Sequence, residues 1–423
     1  MSNGALEFRI LTHMSSAEWL ISNATLVSAG ETRTTAGLHF ASGRIASQIA
    51  AGDDTPELVN LNLHGLAVYP GLVNAHDSLL ATYEPFAGAG APSYLNWLAY
   101  DNQLKASALF KERMLVPVGD LYRLGAFRNL ISGVTTVADH IPHFVRAPFQ
   151  DDPTLPVRLL GDFGISHSIC SYSLDWGDGP RAEYERAASA GLPYITHIAE
   201  GTDPESRNSL SRLDRDGALG EHSVLVHGIG LSESDLDLIA ERGASLVWCP
   251  VMNETLYDKT LPIGAALERD IPVSLGSDAA MLGSPNLLAE LRRAGELLNA
   301  AGRSGAEALA MATTRAATAL RLPEGTGTLD AGAPGDCVVL RGKYASDPQR
   351  SLLEAELAEV YLVVRDGVPV YGEEQLEPIF TELGLIFDRV TIGGSRKIVV
   401  GQMKKLLESI RATVGRSGFP FLS

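Results

Sequence analysis

Histidine and aspartate side chains end several short apolar segments in the middle of the chain. They are His76, Asp139, His140, His197, His227 and Asp278. Imidazole nitrogens and carboxylate oxygens are typical ligands of a catalytic zinc or similar cation. A single histidine of this kind is more often a hydrogen-bonded core residue. Several segments that each end in histidine or aspartate instead predict a shared site, provided that the fold brings their ends together.

The segments that carry these residues alternate with helices between about residues 69 and 323. "GVTTVADH", "LPYITHIAE", "HSVLVHGIG", "GASLVWCP" and "IPVSLGSDAA" read as strands, whereas "SESDLDLIAERG" and "LPIGAALERD" have helical spacing. This alternation predicts a (β/α)8 TIM barrel, whose active site lies at the carboxyl ends of its strands. The stretch 140–192 is short for two strand–helix units, so "VRLLGDFGISHSIC" should supply strands with little helix between them.

Strand-rich pieces flank this middle region. "EWLISNATLVS" and "LHFASGRIASQI" precede it, and "CVVLRGKY" and "AEVYLVVRDGVPVYG" follow it. We expect the two ends to form one composite β-sandwich domain, made of residues 15–68 and 324–375. The barrel then spans 69–323, and 376–423 is a helical extension with an amphipathic helix from about Ser395.

Charge and composition limit the partners and the location. The net charge is −17, from 51 acidic and 34 basic side chains, and such a surface repels nucleic acid and anionic membranes. The N-terminal segment has no basic region followed by an apolar core, and no apolar stretch approaches the ~20 residues of a membrane span. We expect a cytoplasmic protein with a small-molecule substrate.

Five motifs together resemble the amidohydrolase superfamily. "PGLVNAHDS", "THIAEG", "LVHGIG", "WCPVMN" and "SLGSDAA" stand in its order and approximate spacing. The likeness is greatest to the branch of cytosine, guanine and S-adenosylhomocysteine deaminases and triazine hydrolases, and it runs from about Glu18 to Tyr371. It implies a hydrolase of non-peptide C–N bonds in a small, heterocyclic compound, acting through metal-activated water. Relatives of this fold are often dimers, so a homodimer is one expected state.

The resemblance also implies a role for each matching residue. His76, His197 and Asp278 match metal ligands, and Asp278 also takes a proton from the water. Glu200 matches the acid/base that passes a proton to the leaving nitrogen. His227 matches the histidine that binds a second metal or steadies the substrate and the nucleophile.

One position departs from the family pattern. Ser78 stands where the second histidine of the strand 1 HxH motif is expected, and a serine hydroxyl is not a usual zinc ligand. Losing one of four ligands costs about 3 kcal/mol, or roughly 100-fold in affinity. His140 and His143 are candidate replacements, although His140 is more simply a substrate contact. Asp77 should point away from the barrel mouth.

The sequence leaves several alternatives for the number, identity and retention of the metal ion. In the superfamily that the chain resembles, two-metal members bridge their metals with a carboxylated lysine or a glutamate on strand 4. No lysine lies between Lys111 and Lys259, so we expect at most one divalent cation, with zinc preferred and iron or manganese as alternatives. With Ser78 in place, the cation could also be weakly held or absent. The protein would then be a metal-free relative that binds a small molecule, a scaffold, or an enzyme that uses the cavity for other chemistry.

The substrate side of the site is predicted from two loops. "FAGAGAPSYLNWLAYDNQL" follows strand 1, and its Trp97 and Asp101 suit a flat polar ligand, while packing of Trp97 on the barrel is an equal alternative. Asn253, in the loop after strand 7, is a further candidate contact. Cys249 beside it is interpreted as structural.

Overall fold

The structure is a computed structural model that describes residues 18–50, 57–86, 93–416 and 418–422. Its described residues form a TIM-barrel-like α/β fold joined to a large, mostly antiparallel sheet. Within these ranges, no helix is both long and apolar enough to cross a membrane. The strands in chain order are β1 (Trp19–Val27), β2 (Thr32–Ala41), β3 (Arg44–Ala50), β4 (Val59–Asn62), β5 (Ala67–Pro70), β6 (Leu72–Asp77), β7 (Val134–Asp139), β8 (Arg158–Leu159), β9 (Gly164–Ser168), β10 (Tyr194–Ile198), β11 (Ser223–His227), β12 (Ser245–Trp248), β13 (Val273–Leu275), β14 (Cys337–Leu340), β15 (Val360–Arg365), β16 (Val368–Glu373), β17 (Phe387–Ile392) and β18 (Ser395–Val400).

The helices lie mainly between the strands of the middle region. They are α1 (Trp97–Ala106), α2 (Ala108–Arg113), α3 (Val118–Leu130), α4 (His143–Arg146), α5 (Pro180–Ser189), α6 (Pro204–Arg207), α7 (Ser209–Arg215), α8 (Glu233–Arg242), α9 (Pro250–Tyr257), α10 (Ile263–Glu268), α11 (Leu287–Ala300), α12 (Glu307–Met311), α13 (Thr314–Ala319), α14 (Pro348–Leu353), α15 (Glu377–Glu382) and α16 (Met403–Val414). The helix predicted in "SESDLDLIAERG" is α8, which has a capping box at Ser232 and ends at the left-handed Gly243.

Both ends of the chain contribute to one ten-stranded sheet. Its order is β17-β18-β16-β15-β14-β5-β1-β2-β3, and β4 pairs with β1 off this path. The N-terminal and C-terminal parts meet where β5 pairs antiparallel with β14. The Asp366-Gly367 turn between β15 and β16 has the two positive φ values, 50° and 72°, that a tight hairpin requires.

The middle region contains two parallel sheets that carry the predicted strands. One has the order β6-β7-β8 and the other β13-β12-β11-β10-β9. An isolated parallel bridge between Asp77 and Asp278 connects the sheets on one side. On the other side, β8 and β9 are separated by only four residues and no helix, and no ladder joins them in the described ranges. The prediction that "VRLLGDFGISHSIC" supplies two strands with little helix is therefore confirmed.

A close backbone approach brings β13 to β6. The amides of Ser277 and Asp278 donate to the carbonyl oxygen of His76 at 3.0 and 2.9 Å. A Cβ atom at Gly276 would lie 2.7 Å from the Cβ of His76. Only glycine permits this approach, and the approach places Asp278 beside His76.

Two local predictions were wrong. The helix expected from about Ser395 begins at Met403, because residues 395–400 form β18 and pair with β16 and β17. Gly393 and Gly394, with φ of 55° and 73°, make the β17–β18 turn, and the β-branched "KIVV" extends the sheet. The segment expected as a long loop after strand 1 contains α1, capped by the Asn96 side chain on the amide of Ala99.

Candidate metal centre and active site

Side chains from several strand ends converge in the middle region. Within the described residues, three groups bring one ligand atom from each member within 4.8 Å of the others. These groups are His76, His140 and His197; His76, His227 and Asp278; and His197, Glu200 and His227. Five of the predicted strand-end residues lie in these groups, and Glu200 joins them. Asp139 is in none of them, and its carboxylate instead accepts a hydrogen bond from the amide of Leu79 at 3.0 Å.

The histidine nitrogens in this cluster are closely spaced. Nε2 of His197 lies 3.3 Å from Nε2 of His76 and 3.3 Å from Nδ1 of His140. Nε2 of His76 lies 3.8 Å from Oδ1 of Asp278. Nitrogens bound to one tetrahedral zinc at 2.0–2.1 Å are about 3.3–3.4 Å apart, so the observed spacing fits a divalent cation.

Burial keeps the histidines of the cluster uncharged. Burial is the main cause that lowers the pKa of His76 and of His197 well below its ordinary value, and the charges of neighbouring histidines add to it. For the same main reason, the pKa of His227 falls to about 4. Neutral imidazoles offer lone pairs, which is the form that binds a metal.

The strand that carries His76 is fixed by a buried ion pair behind the cluster. Oδ1 of Asp77 accepts a hydrogen bond from Arg128 at 2.5 Å, and Oδ2 accepts one from Asn129 at 2.6 Å. Arg128 also donates to the carbonyl oxygen of Asp278 at 2.9 Å. Asp77 therefore points away from the histidines, as strand alternation predicted, and its partner holds the ends of β6 and β13 together.

Glu200 is a buried carboxyl beside the cluster. Tyr257 donates a 2.8 Å hydrogen bond to Oε1, and Oε2 lies 3.3 Å from Nδ1 of His197. Burial, assisted by the charge of Asp278, raises the pKa of Glu200 to about 8. Its Oε2 atom has no hydrogen-bond partner among the described residues. Such a carboxyl can carry a proton at neutral pH and deliver it.

His227 is oriented by Asn253. Nδ1 of His227 lies 3.0 Å from Oδ1 of Asn253, and the Asn253 amide donates to Thr260 at 3.3 Å. Because the amide oxygen only accepts, Nδ1 carries the proton and the Nε2 lone pair faces the site. That Nε2 atom lies 3.8 Å from both Oε1 of Glu200 and Oδ2 of Asp278.

The backbone at two of these residues is in the left-handed region. The φ of His227 is 80° and that of Asp278 is 50°. Such conformations are costly for residues other than glycine and cluster at functional sites. Burial, with a contribution from Asp77, also raises the pKa of Asp278 to about 7.

The residues predicted as substrate contacts have different surroundings. Trp97 is buried in α1, with its ring 4.4 Å from His167 and 5.8 Å from Tyr172. Asp101 is half-buried and pairs with Lys105 at 2.7 Å. Asn253 is fully buried and holds His227, as described above. Residues 87–92 of the predicted loop lie outside the described residues.

The two candidate replacements for the missing histidine also differ. His140 places Nδ1 in the cluster. His143 instead lies in α4, where its Nε2 is 2.8 Å from the carbonyl oxygen of Phe163. Among the described groups, His143 belongs to none that could hold a metal. Cys249 is buried, and burial raises the pKa of its thiol, in agreement with a structural role.

Three further residues near the site, His167, Trp176 and Tyr257, were not predicted. His167, at the end of β9, packs edge-on against Trp97 and Trp176, with ring centroids 4.4 and 4.6 Å away. Burial lowers its pKa to about 3. Tyr257 reaches Glu200 from α9. His167 had the same sequence signal as the other strand-end histidines, but nothing in the sequence indicated the contact of Tyr257.

Comparison with known proteins supports the same family. A model of the amidohydrolase family matches residues 187–371. The 5-methylthioadenosine/S-adenosylhomocysteine deaminase of Natronomonas pharaonis is 27% identical over 336 residues, which cover 69% of this chain and 75% of that protein. The enzyme of the same name from Nitratidesulfovibrio vulgaris (strain DP4) is 32% identical over 168 residues, 36% of this chain and 38% of that protein.

The predicted resemblance to the amidohydrolase superfamily is confirmed. Atrazine chlorohydrolase from Arthrobacter aurescens TC1, solved with zinc, has the same fold, with a TM-score of 0.66 and 19% identity over 86% of this chain and 99% of that one. The prediction of the deaminase and triazine hydrolase branch is confirmed, as is that of a hydrolase acting on C–N bonds other than peptide bonds. The histidine and carboxylate groups of the described residues could hold a divalent metal.

Proposed function

We propose that this amidohydrolase is a metal-dependent deaminase of a small heterocyclic amine. One observation carries the proposal: the acid/base carboxyl of Glu200 lies 3.3 Å from His197, at the edge of a histidine cluster that fits a cation. Hydrolytic removal of an amino group needs a set of metal ligands and, close to it, a group that transfers protons. The names of the deaminase relatives support the same reaction.

We assign the metal ligands to His76, His197 and Asp278. A divalent cation bound there supplies Lewis acidity and activates water. Zinc is our first choice because nitrogen and carboxylate ligands suit it, and iron and manganese are alternatives. We propose one metal, since no lysine lies on any barrel strand from β6 to β12 to bridge a pair.

Three residues share the proton transfers and the orientation of water in this proposal: Glu200, Asp278 and His227. Asp278 accepts a proton from the attacking water, and Glu200 delivers one to the departing nitrogen, which leaves as ammonia. The Nε2 lone pair of His227 faces both acids at 3.8 Å, so it can accept a hydrogen bond from the water and orient it. Tyr257 holds Glu200 in place for the transfer.

The substrate class follows from the side wall of the site. Trp97, His167 and Trp176 form a continuous edge-to-face array, and Trp176 also lies 5.4 Å from the ring of His140. Aromatic walls with a few polar groups suit a flat, polar ring. We therefore propose a heterocyclic substrate beside Trp97, with Asp101 at the rim as a polar contact. Asn253 acts through His227 in this proposal.

Ser78 favours a second candidate, in which the protein binds a small molecule without a metal. Three of the four expected ligands do not by themselves guarantee a tightly held cation. In that case ligand binding would be unaffected by Asp278→Ala. An enzyme with metal-free chemistry would instead retain activity in the presence of a chelator.

Ammonia release from adenine nucleosides, guanine, cytosine and amino-triazines tests the proposal. We expect release from at least one of these by zinc-loaded protein, and its loss after treatment with a chelator. No release from any of them by protein with bound metal would contradict deamination. Release that a chelator leaves unchanged would support the metal-free enzyme.

We also propose the finer architecture. The barrel of residues 69–323 closes through eight strands, and residues 15–68 and 324–375 form a sandwich around the β5–β14 junction, with 376–423 as the C-terminal extension. Residues 15–17 lie outside the described part. We expect a cytoplasmic protein without nucleic acid partners. We also expect a homodimer, and light scattering of the purified protein can test this oligomeric state.

A further inference from the structure

We propose that His140 is the fourth metal ligand and replaces the histidine that position 78 lacks. This inference rests on the metal site of the proposed function and adds a ligand from a second strand. His140 follows β7, whereas the family pattern would place two histidines on β6.

Strand pairing puts His140 beside Ser78. Asp77 of β6 is in register with Asp139 of β7, and the amide of His140 donates to the carbonyl oxygen of Asp77 at 2.8 Å. The residue after Asp139 therefore neighbours the residue after Asp77. A long imidazole at position 140 can reach the space that a histidine at position 78 would fill.

The ring of His140 is held with one nitrogen toward the cluster. Nε2 lies 3.1 Å from the carbonyl oxygen of Ser166, and Nδ1 lies 3.3 Å from Nε2 of His197. A carbonyl oxygen only accepts hydrogen bonds, so the Nε2 atom carries the ring proton and Nδ1 presents a lone pair. Metal-binding histidines are commonly fixed in this way, by a backbone carbonyl at the second nitrogen.

Hydrogen bonds among the histidines explain the cluster less well than a cation does. Nε2 of His197 faces two nitrogens, on His76 and His140, each at 3.3 Å. It can carry one proton, and Nδ1 of His140 carries none. At most one of these two contacts can therefore be a full hydrogen bond. A single cation, by contrast, can bind the lone pairs of all three ring nitrogens.

The neighbouring histidines do not compete for this role. His143 contacts the carbonyl oxygen of Phe163, and Nδ1 of His167 lies 3.1 Å from the hydroxyl of Ser168. Among the described residues, only His140 joins His76 and His197 in a three-histidine group. His76, His140, His197 and Asp278 then supply four ligands.

Zinc affinity of three variants tests this assignment, with free zinc buffered by a chromogenic chelator. We expect His140→Ala to weaken zinc binding by roughly 100-fold, the amount estimated for one ligand of four. The double variant Ser78→His/His140→Ala should recover most of that loss. His143→Ala is the matched control and should bind zinc like the wild type.

Several results would overturn the assignment. An unchanged affinity in His140→Ala would remove His140 from the ligand set, and no recovery in the double variant would refute the replacement of position 78. If His140→Ala does not fold, X-ray absorption of the zinc-loaded wild type decides: three imidazole ligands are expected, and two would contradict the assignment.

The same measurements separate this inference from the proposed reaction. His140→Ala could lose zinc affinity while zinc-loaded wild type releases ammonia from none of the amines. That result would support His140 as a metal ligand and reject the proposed deamination. A wild-type protein that binds no zinc would reject both.

Discussion

The hydroxyl of Tyr257 donates a hydrogen bond to one oxygen of Glu200, while the other oxygen faces the imidazole of His197 at 3.3 Å. The two contacts reach Glu200 from different elements, α9 and β10. They fix the carboxyl beside the ligand cluster. The position of Glu200 is thus defined by the fold before a substrate binds, as proton transfer requires.

Glu200→Gln should strongly lower kcat without removing the metal. Glutamine keeps an oxygen that can accept from Tyr257, but it cannot carry the transferred proton. We expect kcat to fall by about 10²–10⁴-fold. Ammonia release and metal content, measured on the same preparation, check this.

Glu205→Gln is the matched control for that variant. Glu205 lies in α6, five residues along the chain, and pairs with Arg212 at 3.0 Å outside the site. Its substitution should leave kcat near the wild-type value. Equal losses in both variants would argue against a special role for Glu200.

Arg128→Met should strongly destabilise the fold. It leaves the fully buried Asp77 carboxylate without its cationic partner and removes a tie to the Asp278 carbonyl. Breaking a buried ion pair from one side costs about 3–5 kcal/mol in the free energy of unfolding. Urea denaturation measures this loss.

Arg123→Met, on the same helix α3, provides the comparison. Arg123 is 39% exposed and pairs with Asp152 at 3.2 Å, so its loss should cost about 0–1 kcal/mol. A similar cost for the two variants would show that the Asp77–Arg128 pair is not a special support of the strand ends.

Asn253→Ala should affect both stability and turnover. It leaves the buried Nδ1–H group of His227 without an acceptor, which costs about 1–3 kcal/mol. Loss of a group that orients a site histidine typically lowers activity by about 10–100-fold. Asn253→Asp keeps an acceptor oxygen, so it should lose less activity than alanine does. If alanine is as active as wild type, Asn253 does not position His227 for the reaction.

Glu290 should make stability depend on pH. This carboxyl of α11 is fully buried and accepts a 2.8 Å hydrogen bond from the amide of Val251. Burial raises its pKa from 4.5 to about 8. Between these values the folded protein keeps a proton that the unfolded chain loses, so the contribution of Glu290 to stability falls as pH rises through this window.

Comparison with Glu290→Gln isolates this effect from other titrating groups. The free energy of unfolding of the variant, minus that of wild type, should rise from about pH 5 to about pH 8, by at most about 1.4 kcal/mol per pH unit. Urea denaturation at both pH values measures it. Glu296→Gln, an exposed change on the same helix, should show no such rise, and a flat difference for Glu290→Gln would refute the prediction.

The strand-end residues could be predicted from the apolar pattern of each strand and from their position at its carboxyl end. His76, His197, His227 and Asp278 each close an apolar segment, and the carboxyl ends of parallel strands share one edge. His140 was identified as a candidate ligand, but its ring orientation depends on Ser166, which is 26 residues away. His167 was not predicted, although it lies near the end of β9 and therefore had the same sequence signal.

Contacts between distant segments could not be predicted. The Asp77–Arg128 pair joins a strand to a helix 51 residues later, and Tyr257 meets Glu200 across 57 residues. Neither partner has a local sequence pattern that indicates the other. The C-terminal helix was expected too early because the polar and apolar residues of "SRKIVVGQMKK" fit both helical and strand spacing. The first part forms a strand because β16 provides an edge with which it pairs.

Metal content of the purified wild-type protein, by elemental mass spectrometry, tests the metal centre most directly. The histidine cluster predicts about one divalent cation per chain, removed by chelator, restored by added zinc, and absent from His197→Ala. Less than a tenth of an equivalent in wild type, even after incubation with zinc, iron or manganese, would contradict a metal-dependent hydrolase and favour a metal-free binding protein or enzyme.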